Sequence, residues 1–159
     1  MILEIFSQAD FNDYMNQSEN NYAKEIATAK EITIQEALEI SSQEFQKTLP
    51  DGLNTLNNYF YKIISDYENV GMIWICIYTD NNQKLMFIYD LEIKKQFRQK
   101  GFAKRALELI EDKGKKYGAQ VAGLHVFYHN EIAFNLYKNS GYVETKSGKK
   151  STEMEKKIL

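Results

Sequence analysis

The sequence changes its pattern near residue 58, from helical spacing to closely spaced strand-like segments, and this change limits the folds that the chain can adopt. Three segments after that point are rich in Ile, Tyr, Phe and Val: Tyr59–Ser65, Gly71–Thr79 and Lys84–Ile93. Only short polar breaks separate them, at residues 66–69 and 80–82. Because connections this short join antiparallel neighbours, the sequence predicts a three-stranded meander in the middle of the chain.

Helical spacing occurs on both sides of this meander. Apolar residues from Asp10 to Lys30 recur at helical intervals, and the pair Thr33 and Glu36 forms a capping-box pattern that opens a second helix. The remaining predicted elements are strands at Ile2–Phe6, Val121–Tyr128, Tyr142–Thr145 and Thr152–Ile158, and helices at Gly101–Gly118 and Glu131–Ser140. With 159 residues and no repeat or linker, one mixed α/β domain is predicted.

Charge is distributed unevenly along the chain. The net charge is −2, which argues against nucleic acid as a partner, because phosphate backbones bind to a basic excess. Residues 1–60 hold ten acidic and three basic residues, whereas residues 61–159 hold twelve acidic and seventeen basic ones. An acidic front half suits a cationic acceptor and a basic back half suits a phosphorylated cofactor. Solvated helices that carry these charges for solubility are the simpler alternative.

The cysteine and histidine content is low. Cys76 is the one cysteine, so neither a disulfide within the chain nor a cysteine-rich metal site is expected, and we predict no metal cofactor. The first residues lack the pattern of a signal peptide, and no apolar run reaches the ~20 residues of a membrane span. We therefore expect a cytoplasmic protein with no membrane association.

A candidate phosphate-binding loop follows the third strand of the meander, at residues 98–103 with the sequence Arg-Gln-Lys-Gly-Phe-Ala. Gly101 would let the backbone approach an anion closely, and the helix that follows would add the positive end of its dipole. A nucleotide P-loop needs Ser or Thr after Gly-Lys, and a dinucleotide fingerprint needs three glycines; neither pattern is present. A plain turn with solvated lysines remains an alternative.

A second motif resolves this choice. Residues 130–142 read Asn-Glu-Ile-Ala-Phe-Asn-Leu-Tyr-Lys-Asn-Ser-Gly-Tyr. They resemble the signature Asn-x-x-Ala-x-x-Leu-Tyr-x-x-x-Gly-Phe/Tyr of the GNAT N-acetyltransferase superfamily. Residues 98–103 likewise resemble the loop Arg/Gln-x-x-Gly-x-Gly/Ala with which that family holds the coenzyme A pyrophosphate. Helix caps and core contacts could explain each residue alone, but not the joint spacing of the two motifs.

The resemblance implies a fold and a cosubstrate. The expected fold is a single α/β domain whose mixed, mostly antiparallel sheet of six or seven strands splays between strands 4 and 5, with helices on both faces. It also implies transfer of an acetyl group from acetyl-CoA to an amine, with a variable acceptor-side part at residues 1–57 and an acetyl-CoA-binding core at residues 84–142. The implied cofactor-binding residues are Leu91, Glu92, Ile93, Arg98, Gln99, Lys100, Gly101, Phe102, Ala103, Lys104, Asn130 and Tyr137.

The resemblance also implies catalytic roles. Tyr137 matches the general acid that protonates the departing coenzyme A sulfur, a role that suits a phenol with an ordinary pKa of about 10. The general base is His125 or Glu92; a histidine is competent at neutral pH, but a plain strand histidine is an equal alternative. The acceptor is expected against residues 10–60, whose acidic excess favours a cationic amine.

Other classes of function remain open at this point. The first is a coenzyme A-binding sensor without turnover, which the presence of Tyr137 disfavours. The second is a nucleic-acid-binding domain that uses the basic cluster around Gly101, and the third is a structural protein. By analogy with similar folds, a homodimer is expected.

Overall fold

A computed structural model describes all residues from Met1 to Leu159. The chain forms two compact units: residues 6–56 form one, and residues 1–5 together with 57–159 form the other. No helix combines the length and the apolar character that crossing a bilayer would require.

The smaller unit consists of helices α1 (Gln8–Lys30) and α2 (Ile34–Thr48). Both begin with a capping box, in which an N-cap hydroxyl and an acidic side chain three residues later satisfy backbone N–H groups reciprocally. Thr33 and Glu36 form the box of α2, as the sequence predicted. The rings of Tyr22 on α1 and Phe45 on α2 meet edge to face, with centroids 6.1 Å apart.

The larger unit is built on a seven-stranded sheet in the order β1-β2-β3-β4-β5-β7-β6. All neighbours pair antiparallel except β4 and β5, which are parallel. The strands are β1 (Ile2–Ile5), β2 (Asn58–Ser65), β3 (Glu68–Asp80), β4 (Gln83–Ile93), β5 (Val121–Phe127), β6 (Val143–Ser147) and β7 (Ser151–Lys157). The predicted mixed, mostly antiparallel sheet and its central meander are confirmed.

Helices α3 (Phe102–Lys116) and α4 (Glu131–Asn139) belong to the same unit. Leu107 and Ile110 of α3 and Tyr137 of α4 lie in one hydrophobic cluster with alternate residues of the central strands, among them Ile75 and Met86. Side chains alternate between the faces of a strand, so α3 and α4 cover the same face of the sheet. We call this the α3–α4 face, and the other the opposite face of the sheet.

One irregularity interrupts the ladder between β3 and β4. Trp74 pairs with Asp90, but the next residue of β3, Ile75, pairs with Ile88, so Tyr89 is an extra residue on β4. A bulge of this kind bends the strand and re-aims its side chains. It lies at the point where β4 begins to separate from β5.

Candidate active site

The first element of the site is a gap between the two parallel strands. The pairing of β4 with β5 runs from Leu85 with Val121 to Ile88 with Leu124 and then stops, although β4 continues to Ile93. Beyond the last pair, the facing backbone edges of β4 and β5 have no strand between them. This splay, which we define as residues 89–93 of β4 facing 125–127 of β5, is the separation expected between strands 4 and 5.

Backbone groups of β4 point into the splay. The N–H of Lys94 donates to the carbonyl of Val70 on β3 at 2.9 Å, so the residues that face β3 are Lys94 and, two positions earlier, Glu92. Leu91 and Ile93 therefore direct their N–H and C=O groups to the opposite side. An extended ligand could pair with them as an added strand. Of the three expected backbone contacts, the alternation favours Leu91 and Ile93.

The phosphate-binding loop leads from the end of β4 into α3. Gly101 has φ +79°, in the left-handed region that favours glycine, and a Cβ placed there would have nothing within 4 Å. It is the N-cap of α3 but supplies no side-chain hydrogen bond to the helix. The first intrahelical bond of this turn runs from the Arg105 N–H to the Gly101 carbonyl. The N–H groups of residues 102–104 therefore point beyond the helix end, where an anion would be stabilised.

Six basic residues lie close to this helix start in the sequence. They are Lys94, Lys95, Arg98, Lys100, Lys104 and Arg105. Their roles differ, because the Nε of Arg98 donates to the Ile93 carbonyl at 2.8 Å and Arg105 pairs with Glu108 at 2.9 Å. Arg98 thus ties the loop to the end of the splay. The exposed Lys104, in the first turn of α3, supplies positive charge beside the N–H groups.

The second motif forms α4. Asn130 is its N-cap, and the Asn130 Oδ1 accepts from the Ala133 N–H at 3.4 Å. The side-chain amide nitrogen carries two further donors. Tyr137 lies in the hydrophobic cluster that also holds Ile88 and Leu124, the last paired residues before the splay. Its ring meets that of Tyr142 edge to face, with centroids 5.9 Å apart.

Tyr142, the last residue of the motif, has a different environment. Its hydroxyl donates to the buried Glu111 carboxylate at 3.0 Å, and Lys156 of β7 donates to the other oxygen of that carboxylate at 2.7 Å. Burial, followed by the negative charge of Glu111, raises the pKa of Tyr142 above its ordinary value. The protonated phenol thus ties α3 to the residue that precedes β6, and Lys156 ties α3 to β7. Sequence reasoning missed Glu111, whose partners are 31 and 45 residues away in the sequence.

Both candidate bases lie on the opposite face of the sheet from α3 and α4. Glu92 is opposite Met72, two residues from Trp74 along β3, and His125 is opposite Glu153 on β7. His125 is the exposed residue of an otherwise buried strand, and its Nε2 lies 2.8 Å from the Ser151 Oγ. It is the first residue of β5 after the last pair with β4. The two sides of the splay thus each present one titratable side chain to the same face.

Comparison with known proteins agrees with this geometry. A model of the acetyltransferase (GNAT) family matches residues 24–142. The chain is 35% identical over 144 residues to an uncharacterized N-acetyltransferase of Bacillus subtilis, YdgE, covering 90% of this chain and 92% of the relative. It is also similar to the crystal structure of an acetyltransferase of B. subtilis, YycN, with 30% identity, a TM-score of 0.88 and coverage of 93% and 95%.

A more distant structure carries a ligand. PaiA N-acetyltransferase of Thermoplasma acidophilum was solved in complex with coenzyme A. It matches over 99% of both chains with a TM-score of 0.70, at 22% identity. At this level of identity the similarity shows a shared fold and nothing more.

Proposed function

Because this chain belongs to the GNAT acetyltransferase family, and is therefore an acetyl-CoA-dependent acyltransferase, we propose that it acetylates a primary amine by direct attack on the thioester. One observation carries the proposal: the splay opens beside a helix start that has no side-chain cap. The first accepts an extended arm and the second accepts a diphosphate. Acetyl-CoA combines both chemical groups in one molecule.

The loop and the splay bind and orient the cosubstrate in this mechanism. The N–H groups of residues 102–104, with Lys100 and Lys104, hold the pyrophosphate. Leu91 and Ile93 pair with the pantetheine arm, and a backbone N–H of β4 stabilises the negative charge that develops on the thioester oxygen. The amide of Asn130 donates to the same arm. These groups are fixed before the reaction and need no reorganisation.

Two proton transfers complete the reaction. A neutral amine is required for attack, so His125 or Glu92, directly or through water, takes the proton that the nitrogen loses as the C–N bond forms. When the C–S bond breaks, the Tyr137 hydroxyl donates its proton to the departing sulfur, and solvent restores that proton. The pH–rate profiles of His125→Gln and Glu92→Gln identify the base. The fall in rate at low pH should disappear only in the variant that lacks the base.

The charge of the smaller unit supports a cationic acceptor. Residues 6–56 contain nine acidic and three basic residues, a net charge of −6. Such a field raises the local concentration of cations and favours their encounter with the enzyme. We expect turnover of cationic amines to exceed that of neutral amines and to fall as salt is added. The reverse order of preference would rule out this acceptor class.

Tyr137→Phe tests the proposed chemistry. Removal of one general acid lowers kcat by about 10²-fold or more. Calorimetry should give an unchanged affinity for acetyl-CoA, because the ring remains in the core. A rate of thiol release equal to the wild type would show that Tyr137 is not the acid.

Tyr142→Phe is the matched control. It removes a hydroxyl that donates to Glu111, so it should lower the free energy of unfolding by about 1 kcal/mol and leave kcat unchanged.

The same thiol-release assay distinguishes an enzyme from a sensor. A wild-type protein that binds acetyl-CoA but releases no thiol with any amine would be a sensor.

A further inference from the structure

A serine hydroxyl lies against one of the two candidate bases. Ser151 is the first residue of β7, and its Oγ lies 2.8 Å from the Nε2 of His125 on β5. In the β5–β7 ladder Ser151 is opposite Phe127, the last residue of β5 and of the splay. The hydroxyl is therefore level with the wide end of the splay, on the strand next to it.

The backbone holds Ser151 in place. The Gly148 N–H donates to the Ser151 carbonyl at 2.8 Å, and the Tyr128 N–H donates to the carbonyl of the preceding residue, Lys150, at 2.9 Å. Ser151 is also only partly exposed. A side chain on a paired strand is positioned more precisely than one on a loop, which suits a group that transfers a proton.

The imidazole of His125 has contacts on more than one side. The buried ring of Phe127 meets it edge to face, with centroids 5.1 Å apart, and the Ser151 hydroxyl lies at its Nε2. Glu153 is opposite His125 on β7, and Lys146 of β6 is opposite Glu153. Together the ring contact and the hydroxyl favour the orientation in which Nε2 points toward Ser151.

This arrangement limits how an amine can reach Nε2 of His125. A nitrogen with a hydroxyl at 2.8 Å can accept a proton directly from an amine only if that hydrogen bond is first broken. A hydroxyl, however, has one donor and two acceptor lone pairs. The Ser151 hydroxyl can therefore donate to Nε2 and accept from an amine at the same time, without movement of either side chain.

We propose that Ser151 relays the proton of the reacting amine to His125. As the C–N bond forms, the nitrogen loses a proton to the Ser151 Oγ, and the proton of that hydroxyl moves to the Nε2 of His125. The serine is unchanged at the end of the step, and the imidazolium later loses its proton to solvent. The carboxylate of Glu153, opposite His125, favours the charged imidazole. This assignment rests on the proposed function and selects His125, not Glu92, as the base.

The first experiment tests the contact without turnover. The chain has two histidines, so nitrogen NMR of the imidazole rings gives a spectrum that His125→Gln assigns. Ser151→Ala should shift the Nε2 resonance of His125 and leave the resonances of His129 in place. Unchanged His125 resonances would overturn the inference, whether or not the protein acetylates an amine.

The second experiment is a double-mutant cycle, with pentylamine as the acceptor and thiol release as the readout. Ser151→Ala should lower kcat by about tenfold, because water must replace the hydroxyl, and should leave both KM values within about twofold. His125→Gln should lower kcat by about 100-fold. The double variant should be no slower than His125→Gln alone, because the hydroxyl acts only through the imidazole.

Two further variants separate a relay from a structural role. Ser151→Thr keeps a hydroxyl and should retain kcat within about threefold of the wild type. Ser147→Ala removes a hydroxyl of β6 that donates to Glu144, and it should leave kcat unchanged. An equal loss of kcat from Ser151→Ala with and without His125 would overturn this inference alone. Absence of acetyl-CoA binding by the wild type would overturn the proposed function itself.

Discussion

The four helices begin in two different ways. Ser7, Thr33 and Asn130 each accept a hydrogen bond from a backbone N–H in the first turn of α1, α2 and α4. Gly101 offers α3 no side chain and adopts a left-handed conformation with open space around it. At three helix starts a side chain of the protein therefore accepts from a first-turn N–H group. At the start of α3 the N–H groups can bind a ligand instead.

The capped helix starts contribute to stability, whereas the uncapped start of α3 contributes to ligand binding. A side-chain cap contributes about 1 kcal/mol to folding relative to alanine and roughly a few tenths of a kcal/mol relative to glycine, and α3 has no such cap. Instead it has lysines in and before its first turn, where positive charge opposes the helix dipole. Such a combination is unfavourable for the free protein and favourable once a diphosphate is bound. Substitutions at the helix starts should therefore affect stability at the three capped positions and affinity at the uncapped one.

Among variants that keep Gly101, Lys104→Glu should have the largest effect, because it changes affinity and stability in opposite directions at the uncapped start of α3. An acidic residue in the first turn of α3 favours the helix dipole, so the unfolding free energy should stay equal or rise by about 0.5 kcal/mol. The same carboxylate repels the pyrophosphate, so acetyl-CoA should bind at least about tenfold more weakly. Thermal unfolding and calorimetric titration measure the two quantities.

Lys116→Glu is the matched control at the other end of α3. It makes the same change of charge in the last turn, where an acidic residue opposes the dipole, so stability should fall slightly and affinity should not change. Equal loss of affinity in both variants would mean that overall charge, and not the helix start, holds the cofactor.

Asn130→Ala is the intermediate case, because this residue caps α4 and belongs to the proposed cofactor site. Loss of the cap should lower the unfolding free energy by about 1 kcal/mol. The KM for acetyl-CoA should rise about fivefold, as expected for one lost hydrogen bond. A stability loss with an unchanged KM would leave Asn130 as a cap alone.

Thr33→Ala has the smallest expected functional effect. It breaks the capping box of α2 and should lower the unfolding free energy by about 1 kcal/mol. The affinity for acetyl-CoA should stay within about twofold of the wild type, measured by calorimetry below the unfolding transition. A larger change in affinity would contradict the separation of capped and uncapped helix starts.

Much of the fold could be predicted from the sequence, because local patterns determine it. Alternation and β-branched residues identified β2, β3 and β4, and helical spacing identified α3 and α4. Ser7 was overlooked because the acidic partner in its capping box is Asp10, not the Glu or Gln of the usual pattern. Strand ends also moved: β6 runs from Val143 to Ser147, beyond the predicted end at Thr145.

Contacts between distant segments could not be predicted from the sequence. The bulge at Tyr89 depends on the register between β3 and β4, and nothing in the local sequence signals it. The buried contacts of Glu111 with Tyr142 and Lys156 join three elements, and Glu111 alone looks like a residue of a solvated helix face. The two motifs identified the loop and α4, but the direction of the backbone groups in the splay required the hydrogen-bond pattern.

Calorimetric titration of acetyl-CoA into Gly101→Glu and Gly118→Glu separates a cofactor site at the start of α3 from a general effect of charge and strain. Both glycines have left-handed φ values, +79° and +89°, so both variants carry similar backbone strain, at opposite ends of α3. We predict that Gly118→Glu binds acetyl-CoA like the wild type, whereas Gly101→Glu loses at least about 100-fold in affinity. Equal affinity in the two variants would contradict the claim that the uncapped start of α3 holds the cofactor.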